Sequence, residues 1–161
     1  MPVRWLSDEA VEVHGLPLQM VGMEFLDANL RTPDILELAA ACGQLDRTGT
    51  NGALRVVLCH YSEWLPTADD LGADLMFSGH THGGQLRLPG GRALKNCCEL
   101  PLHLTCGMLR HRDTVCVVSR GLGEARIRLR LFCPPHVPLI TLQRGALPGD
   151  YTDGIDNVRK W

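Results

Sequence analysis

The chain lacks the features that would place it across a membrane or on a nucleic acid. No apolar run among its 161 residues approaches the roughly 20 residues that a membrane-spanning helix needs. The 16 Lys and Arg residues are offset by 18 Asp and Glu residues, which gives a formal net charge of −2. A chain this close to neutrality has no excess positive charge with which to attract a phosphate backbone. We therefore expect no membrane span and no nucleic-acid binding.

Signals for export and for cysteine-bound zinc are also missing. The first residues show no pattern of a secretory signal. This chain alone therefore favours the cytoplasm, whereas a segment upstream of Met1 would allow export or membrane association. None of the 7 cysteines forms a Cys-x-x-Cys pair, and Cys59, Cys116 and Cys133 lie in apolar runs. We expect buried free thiols, without a cysteine zinc site.

The composition does provide enough apolar residues for a folded core. The chain is 45% hydrophobic and 21% charged, which is ordinary for a globular domain. Its length suits one domain, and no internal repeat is present. We expect a domain over residues 1–145 and a flexible C-terminal tail over residues 146–161.

Two apolar segments lead directly into histidines. Residues 55–59 are apolar and β-branched, and His60 follows them. Residues 74–77 lead into the sequence Ser-Gly-His-Thr-His-Gly-Gly-Gln, which contains His80 and His82. Alternate residues of an extended segment point the same way, so both imidazoles can face one point. Imidazole binds Zn, Mn and Fe ions well, and glycines allow sharp bends.

The intervening segment predicts how these histidines meet. Residues 62–71 indicate a short helix with Pro66 in its first turn. A strand, a helix and a strand in succession imply a parallel pair. Ligands gather at the carboxyl ends of parallel strands. The three histidines are therefore expected to converge at one edge of the sheet.

The rest of the chain predicts further strands and one longer helix. Residues 10–25 read as two strands around a turn, and a helix is expected over residues 32–43 with Thr32 as its N-cap. Residues 89–108 are poorly periodic. Three final strands are expected over residues 114–119, 125–132 and 138–142.

Arginines alternate with apolar residues in the second of these strands. A period of two would put Arg126, Arg128 and Arg130 on one face. We favour the interpretation in which the arginines form a solvated face and the apolar residues form a buried face behind it. The alternative is a stripe of arginines that binds an anion or RNA. Arg120, next to a glycine, has the same two interpretations: a structural hydrogen bond, which we favour, or a phosphate contact.

The histidine motif resembles the late motif of a known family. Gly-His-Thr-His-Gly-Gly-Gln over residues 79–85, followed by Leu-Pro at 88–89, is similar to the bacterial branch of the calcineurin-like metallophosphoesterases. Residues 118–123 and 130–142 resemble the last strands of that branch. The resemblance covers residues 10–143. It implies an α/β fold, the C-terminal half of a four-layer α/β/β/α metallophosphoesterase sandwich, so the expected domain is a partial one.

The resemblance also implies a two-metal centre and its chemistry. His60 and His80 match ligands of the second metal, and His82 matches a ligand of the first. Supporting positions around this edge of the sheet are Gly79, Gly83, Gly84 and Gln85. The family uses two divalent ions (Mn, Fe or Zn) to hydrolyse phosphodiester or pyrophosphate bonds in a phosphoester substrate.

Several family features are missing from this sequence. No Asp-x-His, Gly-Asp-x-x-Asp or Gly-Asn-His motif precedes His60, so we expect that the chain starts after them and is poorly active alone. Catalytic residues therefore stay unassigned. Tyr61 stands where the family usually has Asn, and His136 stands where it has Glu. A Gly-Asp-x-x-Asp sequence over residues 149–153 follows no apolar strand, and we assign it to the tail.

Two alternatives to an enzyme stay open. The first is a non-catalytic metallophosphoesterase remnant with a weak histidine metal site. The second is an interaction module whose histidine-lined edge meets a separate chain that supplies the N-terminal half. An exposed sheet edge and apolar face also predict self-association.

Overall fold

The computed structural model describes residues 3–23, 52–96, 101–143 and 158–160, which are organised around one mixed β-sheet. In chain order its strands are β1 (Glu9–Glu12), β2 (Leu18–Gly22), β3 (Leu54–Leu58), β4 (Leu75–Ser78), β5 (Gly107–His111), β6 (Thr114–Val118) and β7 (Val158–Lys160). Their spatial order is β1-β2-β3-β4-β6-β5-β7. Strands β2, β3, β4 and β6 are parallel. Strand β1 runs antiparallel to β2, β5 runs antiparallel to β6, and β7 runs parallel to β5. The predicted α/β class is confirmed, and this sheet is consistent with part of a metallophosphoesterase sandwich.

The predicted strand, helix and strand around the histidines are confirmed. A 3-10 turn over Ser62–Trp64 continues into the helix α1 (Leu65–Asp70), with Pro66 in its first turn. Proline is tolerated there because the first amides of a helix have no intrahelical partner. Leu65 and Ala68 of α1 are buried against the sheet. This crossover makes β3 and β4 parallel neighbours, so both strands end at the same edge.

The two faces of the sheet differ in how well they are covered. The face beneath α1 carries the larger cluster of buried residues, which includes Val57, Met76, Leu109, Cys116 and Val118. On the opposite face, Val56, Leu75 and Val117 are buried, while the apolar residues around them are only partly buried. The face under α1 is therefore the main hydrophobic core of the described residues.

The cysteines of the apolar runs lie inside this structure, as predicted. Cys59, Cys116 and Cys133 are buried free thiols. Burial raises the pKa of the Cys116 thiol to about 12, although a hydrogen bond with Ser78 acts in the opposite direction and lowers that pKa. A thiol in that environment stays protonated at neutral pH and behaves as a small apolar side chain.

Two of the three final strands were wrongly predicted. Residues 114–118 form β6, but residues 125–132 and 138–142 form no strand among the described residues. Within these two described segments the only bridge joins Leu131 to Leu86, and a second, between Gly121 and His136, lies outside them. Alternation favours a strand only where a neighbouring backbone completes the ladder. Here the Gln85 side chain bonds carbonyls of this segment instead.

The arginine face was also wrongly predicted. Without a strand, Arg126, Arg128 and Arg130 share no common face. Their apolar neighbours Ile127 and Leu129 are 55% and 52% exposed, so no buried face lies behind them. Arg130 is partly buried and hydrogen-bonded to backbone carbonyls, which is the opposite of a solvated side chain.

Other predictions fall partly or wholly outside the described residues. The two N-terminal strands around a turn are confirmed as β1 and β2 over the described part of 10–25. The helix expected over 32–43 and the Gly-Asp-x-x-Asp sequence at 149–153 lie outside the described residues. Within the expected tail, residues 158–160 pair with β5 as β7. Among the residues described, no helix combines the length and apolar character that crossing a bilayer requires.

Candidate metal centre

His60 and His80 meet at the carboxyl edge of the sheet. Each lies two residues beyond the end of its strand, β3 and β4 respectively. The pairing of these strands continues past their ends, because the Gly79 amide donates to the His60 carbonyl over 3.1 Å. As a result, His80 Nδ1 lies 3.2 Å from His60 Nε2. The structure thus brings together two of the three histidines that the sequence selected.

This nitrogen–nitrogen distance has a definite chemical meaning. Two imidazole lone pairs cannot approach so closely unless a proton or a cation lies between them. In a hydrogen bond, one ring donates and the other accepts. Two nitrogens on one tetrahedral zinc, each about 2.0–2.1 Å from the ion, are separated by about 3.3 Å. The observed 3.2 Å suits a shared proton and equally suits two ligands of one ion.

The surroundings favour the neutral form of His60, which is the form that binds metals. Partial desolvation lowers the pKa of His60, and the nearby His80 and His82 lower it further. Tyr61 packs against this pair, with its ring 4.4 Å from that of His80 between centroids. Desolvation raises the pKa of Tyr61, and the charge of Glu63 adds to that effect. Tyr61 is therefore a neutral aromatic neighbour of the histidine pair at neutral pH.

His82 has a different partner from the other two histidines. Its Nδ1 lies 3.3 Å from the Gly123 carbonyl oxygen. A carbonyl only accepts hydrogen bonds, so Nδ1 carries the proton and Nε2 keeps its lone pair. His82 is close enough to lower the pKa of His60. Its Nε2 is therefore the atom with which it could bind a metal.

The loop that carries His80 and His82 is strained. Three of its non-glycine residues have positive φ angles: 62° at His80, 49° at His82 and 52° at Gln85. Such angles cost of order 1–3 kcal/mol each and persist only where the surroundings impose them. Gly83 and Gly84 also have positive φ angles, and a Cβ on either would clash with Arg120 or Ala93. Only glycine fits at these two positions.

Buried polar side chains hold this strained loop in place. Thr81 Oγ1 donates to the Thr105 carbonyl over 2.6 Å and accepts from the Gly83 amide over 3.1 Å. Arg87 is 7% exposed, and its Nε donates to the Gly83 carbonyl over 2.7 Å. Its Nη2 donates to Thr105 Oγ1 over 3.0 Å. Bonds from a charged group are worth about 1.5–3 kcal/mol each, enough to offset the strain.

Gln85 joins the loop to the segment that follows β6. Its Oε1 accepts from the Ala125 amide over 2.7 Å, and its Nε2 donates to the Leu129 carbonyl over 2.9 Å and to the Ile127 carbonyl. The side chain of Gln85 therefore acts as a substitute strand neighbour for this segment. A supporting role for Gln85 at this edge agrees with these contacts.

Sequence reasoning missed the buried arginine that supports the loop. Arg87 lies between Leu86 and Leu88, directly after the glycine-rich motif. An arginine within an apolar segment beside a tight loop is a usable signal, because a buried guanidinium must find backbone or side-chain acceptors. The partner Thr105 has no comparable signal, since it is 18 residues away from Arg87 in the chain.

The residues present fit part of a metal site. Among residues 3–23, 52–96, 101–143 and 158–160, no group of three or more His, Cys, Asp or Glu side chains is arranged to hold a metal ion. His60 Nε2 and His80 Nδ1 nevertheless form a two-nitrogen donor set of suitable type and spacing. His82 is not part of this donor set, since its ring is bonded to the Gly123 carbonyl instead. The described residues thus bring together two imidazole donors.

Comparison with known proteins places these motifs in context. No family model and no solved structure matches the chain. The chain is similar to the uncharacterized metallophosphoesterase YkuE of Bacillus subtilis, with 33% identity over 88 residues, which is 55% of this chain and 30% of that protein. It is similar to the uncharacterized metallophosphoesterase YkoQ of the same organism, with 30% identity over 83 residues, 51% of this chain and 31% of that protein.

A third relative has a less specific name. The uncharacterized protein YpbG of Bacillus subtilis is 32% identical over 91 residues, 55% of this chain and 31% of that protein. The matched part of the chain thus spans about a third of the length of these relatives. The predicted resemblance is confirmed at that level: over about half of its length, this chain is similar to bacterial metallophosphoesterases, consistent with a partial calcineurin-like domain.

Proposed function

We propose that the chain supplies the histidine side of the metal centre of a phosphoester hydrolase that cleaves phosphodiester or pyrophosphate bonds. The observation that carries the proposal is the 3.2 Å approach of His60 Nε2 to His80 Nδ1 at the carboxyl ends of adjacent parallel strands. The metallophosphoesterase names of two relatives support the hydrolase class at most. The two-metal mechanism and the substrate belong to the proposal.

In this proposal the histidines hold divalent ions and the loop keeps the histidines in place. His60 Nε2 and His80 Nδ1 would bind one ion, and His82 Nε2 would bind a second. Bound divalent ions would lower the pKa of a water molecule and polarise phosphoryl oxygens. Imidazole suits Zn, Fe and Mn ions, so the donor set does not distinguish among them. Gly83 and Gly84 let the loop pack closely against Arg120 and Ala93, which supports the position of His82.

The same donor set limits what the chain can do alone. Three neutral imidazoles carry no negative charge to balance two divalent ions, and hydrolysis by two metals needs the ions held about 3.5–4 Å apart. The family's early motifs, which carry the bridging carboxylate and the general acid, do not precede His60 in this sequence. General-acid catalysis is worth about 10²–10⁴ in rate. We therefore expect hydrolysis near background from the isolated chain.

Hydrolysis of a bis-aryl phosphate in the presence of Mn²⁺ tests the proposal. The assay compares the isolated chain with a chimera in which the part of YkuE that precedes the matched region is fused to this chain. We expect background rates from the chain and clear turnover from the chimera, lost on His82→Ala. His103→Ala serves as the matched control, because His103 is an exposed histidine away from the pair.

Two results would count against the proposal. A folded chimera that binds Mn²⁺ and hydrolyses nothing would remove the phosphoesterase assignment. Robust turnover by the isolated chain, abolished by His60→Ala or His80→Ala, would show that the site is complete without the early motifs.

A further inference from the structure

Arg130 is bonded to a set of backbone carbonyls beside the histidine loop. Its Nε donates to the Gly123 carbonyl over 3.2 Å. Its Nη2 donates to the Arg120 carbonyl over 2.8 Å and also to the Gly123 carbonyl. Its Nη1 donates to the carbonyls of His82 and Cys133, each over 3.3 Å. Every nitrogen of the guanidinium therefore has a carbonyl partner. These contacts leave Arg130 no donor for an anion, because every nitrogen of its guanidinium is already engaged.

The Gly123 carbonyl links Arg130 to His82. It accepts from two nitrogens of Arg130 and also lies 3.3 Å from His82 Nδ1. Gly123 is exposed, and a Cβ built on it would have no heavy atom within 4 Å. Its peptide is therefore not packed from that side. The guanidinium of Arg130 is the strongest contact described for this carbonyl, since bonds with one charged partner are about twice as strong as neutral ones.

We propose that Arg130 is a positioning residue: by holding the Gly123 carbonyl against His82 Nδ1–H, it fixes His82 in the tautomer whose Nε2 lone pair is free. Hydrogen bonding at one ring nitrogen selects which nitrogen can bind a metal. Arg130 also donates to the carbonyl of His82 itself, so it acts on both the backbone and the ring of this residue. The tautomer is a property of the chain, whereas its use in metal binding rests on the proposed function.

A purely structural role for Arg130 makes a different prediction. If the guanidinium only connected loop segments, its loss would lower the free energy of unfolding and leave the His82 tautomer unchanged in the folded protein. A positioning role requires the tautomer to change while the fold is retained. Nitrogen NMR of the imidazole separates the two cases, because a protonated and an unprotonated ring nitrogen have different chemical shifts.

The test uses the chain of residues 1–161 labelled with ¹⁵N in the histidine rings, at about pH 8, where histidine is neutral. The His82 signals are assigned by their loss in His82→Gln. We expect a protonated Nδ1 and an unprotonated Nε2 in the wild type. Arg130→Ala should shift His82 to a mixture of tautomers, and Arg130→Lys should restore the wild-type state in part. Arg128→Ala, a neighbouring exposed arginine, should change nothing.

A wild-type His82 with its proton on Nε2, or an unchanged tautomer in folded Arg130→Ala, would overturn the proposal. If Arg130→Ala does not fold, the same criterion is applied to Arg130→Met, which removes the donors and keeps most of the side-chain volume. A parallel zinc titration separates this inference from the proposed function, because losing the group that orients a histidine ligand weakens metal binding about 10–100-fold. A wild type that binds no zinc but loses the tautomer on Arg130→Ala would leave the positioning role standing and remove the metal site.

Discussion

Residues 54–78 and residues 122–142 are both rich in apolar side chains, but the two regions differ in strand formation and in burial. The first region forms β3, α1 and β4, and it buries residues such as Val57, Leu65 and Met76. The second region forms no strand, and Leu139 within it is 94% exposed. Apolar patterning therefore yields a strand only where a neighbouring strand and a covering layer are available.

The comparison also separates two kinds of support for the histidines. His60 and His80 are placed by strand pairing, through the parallel register of β3 and β4. His82 is placed by side chains, through Arg87 on the Gly83 carbonyl and Arg130 on the His82 carbonyl. The first kind of support follows from local sequence. The second depends in part on Arg130, which lies 48 residues from His82 in the chain.

The largest expected effect tests the difference in side-chain burial between residues 54–78 and residues 122–142. Met76→Ala removes a fully buried side chain from the core under α1, and we expect a loss of about 2–5 kcal/mol in the free energy of unfolding. Leu139→Ala is the matched control in the exposed region, with an expected change within about 0.5 kcal/mol. Urea denaturation measures both. Equal losses would mean that residues 122–142 are buried in solution.

A somewhat smaller effect tests how α1 is tied to the sheet. Asp69 Oδ1 accepts from the Thr114 hydroxyl over 3.0 Å and from the amides of Asp113 and Thr114, each over 3.2 Å. Removing this carboxylate leaves the Thr114 hydroxyl and the two amides without their Asp69 acceptor. We therefore expect Asp69→Ala to lower the free energy of unfolding by about 2–3 kcal/mol. Asp70→Ala is the control, because its ion pair with Arg112 is more than half exposed on both sides and should matter little.

The pH dependence of this effect follows from the pKa of Asp69. Burial alone would raise that pKa, but hydrogen bonds from Thr114, Asp113 and Arg112 together lower it. A lowered folded-state pKa gives stability that is present above the unfolded value of about 3.9 and lost as the pH falls through the folded value. The difference between wild type and Asp69→Ala should therefore shrink below about pH 4. A constant difference down to pH 2 would show that the carboxylate charge contributes nothing.

The smallest expected effect concerns the exposed region as an association surface. Leu122, Phe132 and Leu139 are large apolar side chains that are more than half exposed, and exposed apolar groups of this kind favour association between chains. We expect concentration-dependent association by sedimentation, weakened about tenfold or more when all three are changed to Ser. A monodisperse monomer at millimolar concentration would contradict this expectation.

Much of the histidine-bearing region could be predicted from sequence because its determinants are local. The apolar runs before His60 and the glycine-rich loop, with Pro66 opening the helix between them, specify a parallel crossover without further information. The resemblance of residues 79–85 to a metallophosphoesterase motif follows from the same short segment. The comparisons confirm that resemblance over about half of the chain.

The rest could not be predicted because it depends on contacts across long sequence separations. Alternation in residues 125–132 suggested a strand, but Gln85, some 42 residues away from Ile127 in the chain, supplies the pairing instead. Arg130 looked like one of three equivalent arginines, yet it alone of the three donates to the His82 carbonyl, 48 residues away. Periodicity identifies which side chains alternate, and it does not identify the acceptors that a guanidinium will find.

The central claim is that His60 and His80 bind one metal ion together, and calorimetric titration with Zn²⁺ tests it most directly. The wild type is compared with His60→Ala, His80→Ala and the exposed-histidine control His103→Ala, with folding of each checked by circular dichroism. We predict weak binding of about one ion by the wild type and the control, and loss of at least about tenfold in affinity in either pair variant. Equal affinities in all four proteins would contradict the claim.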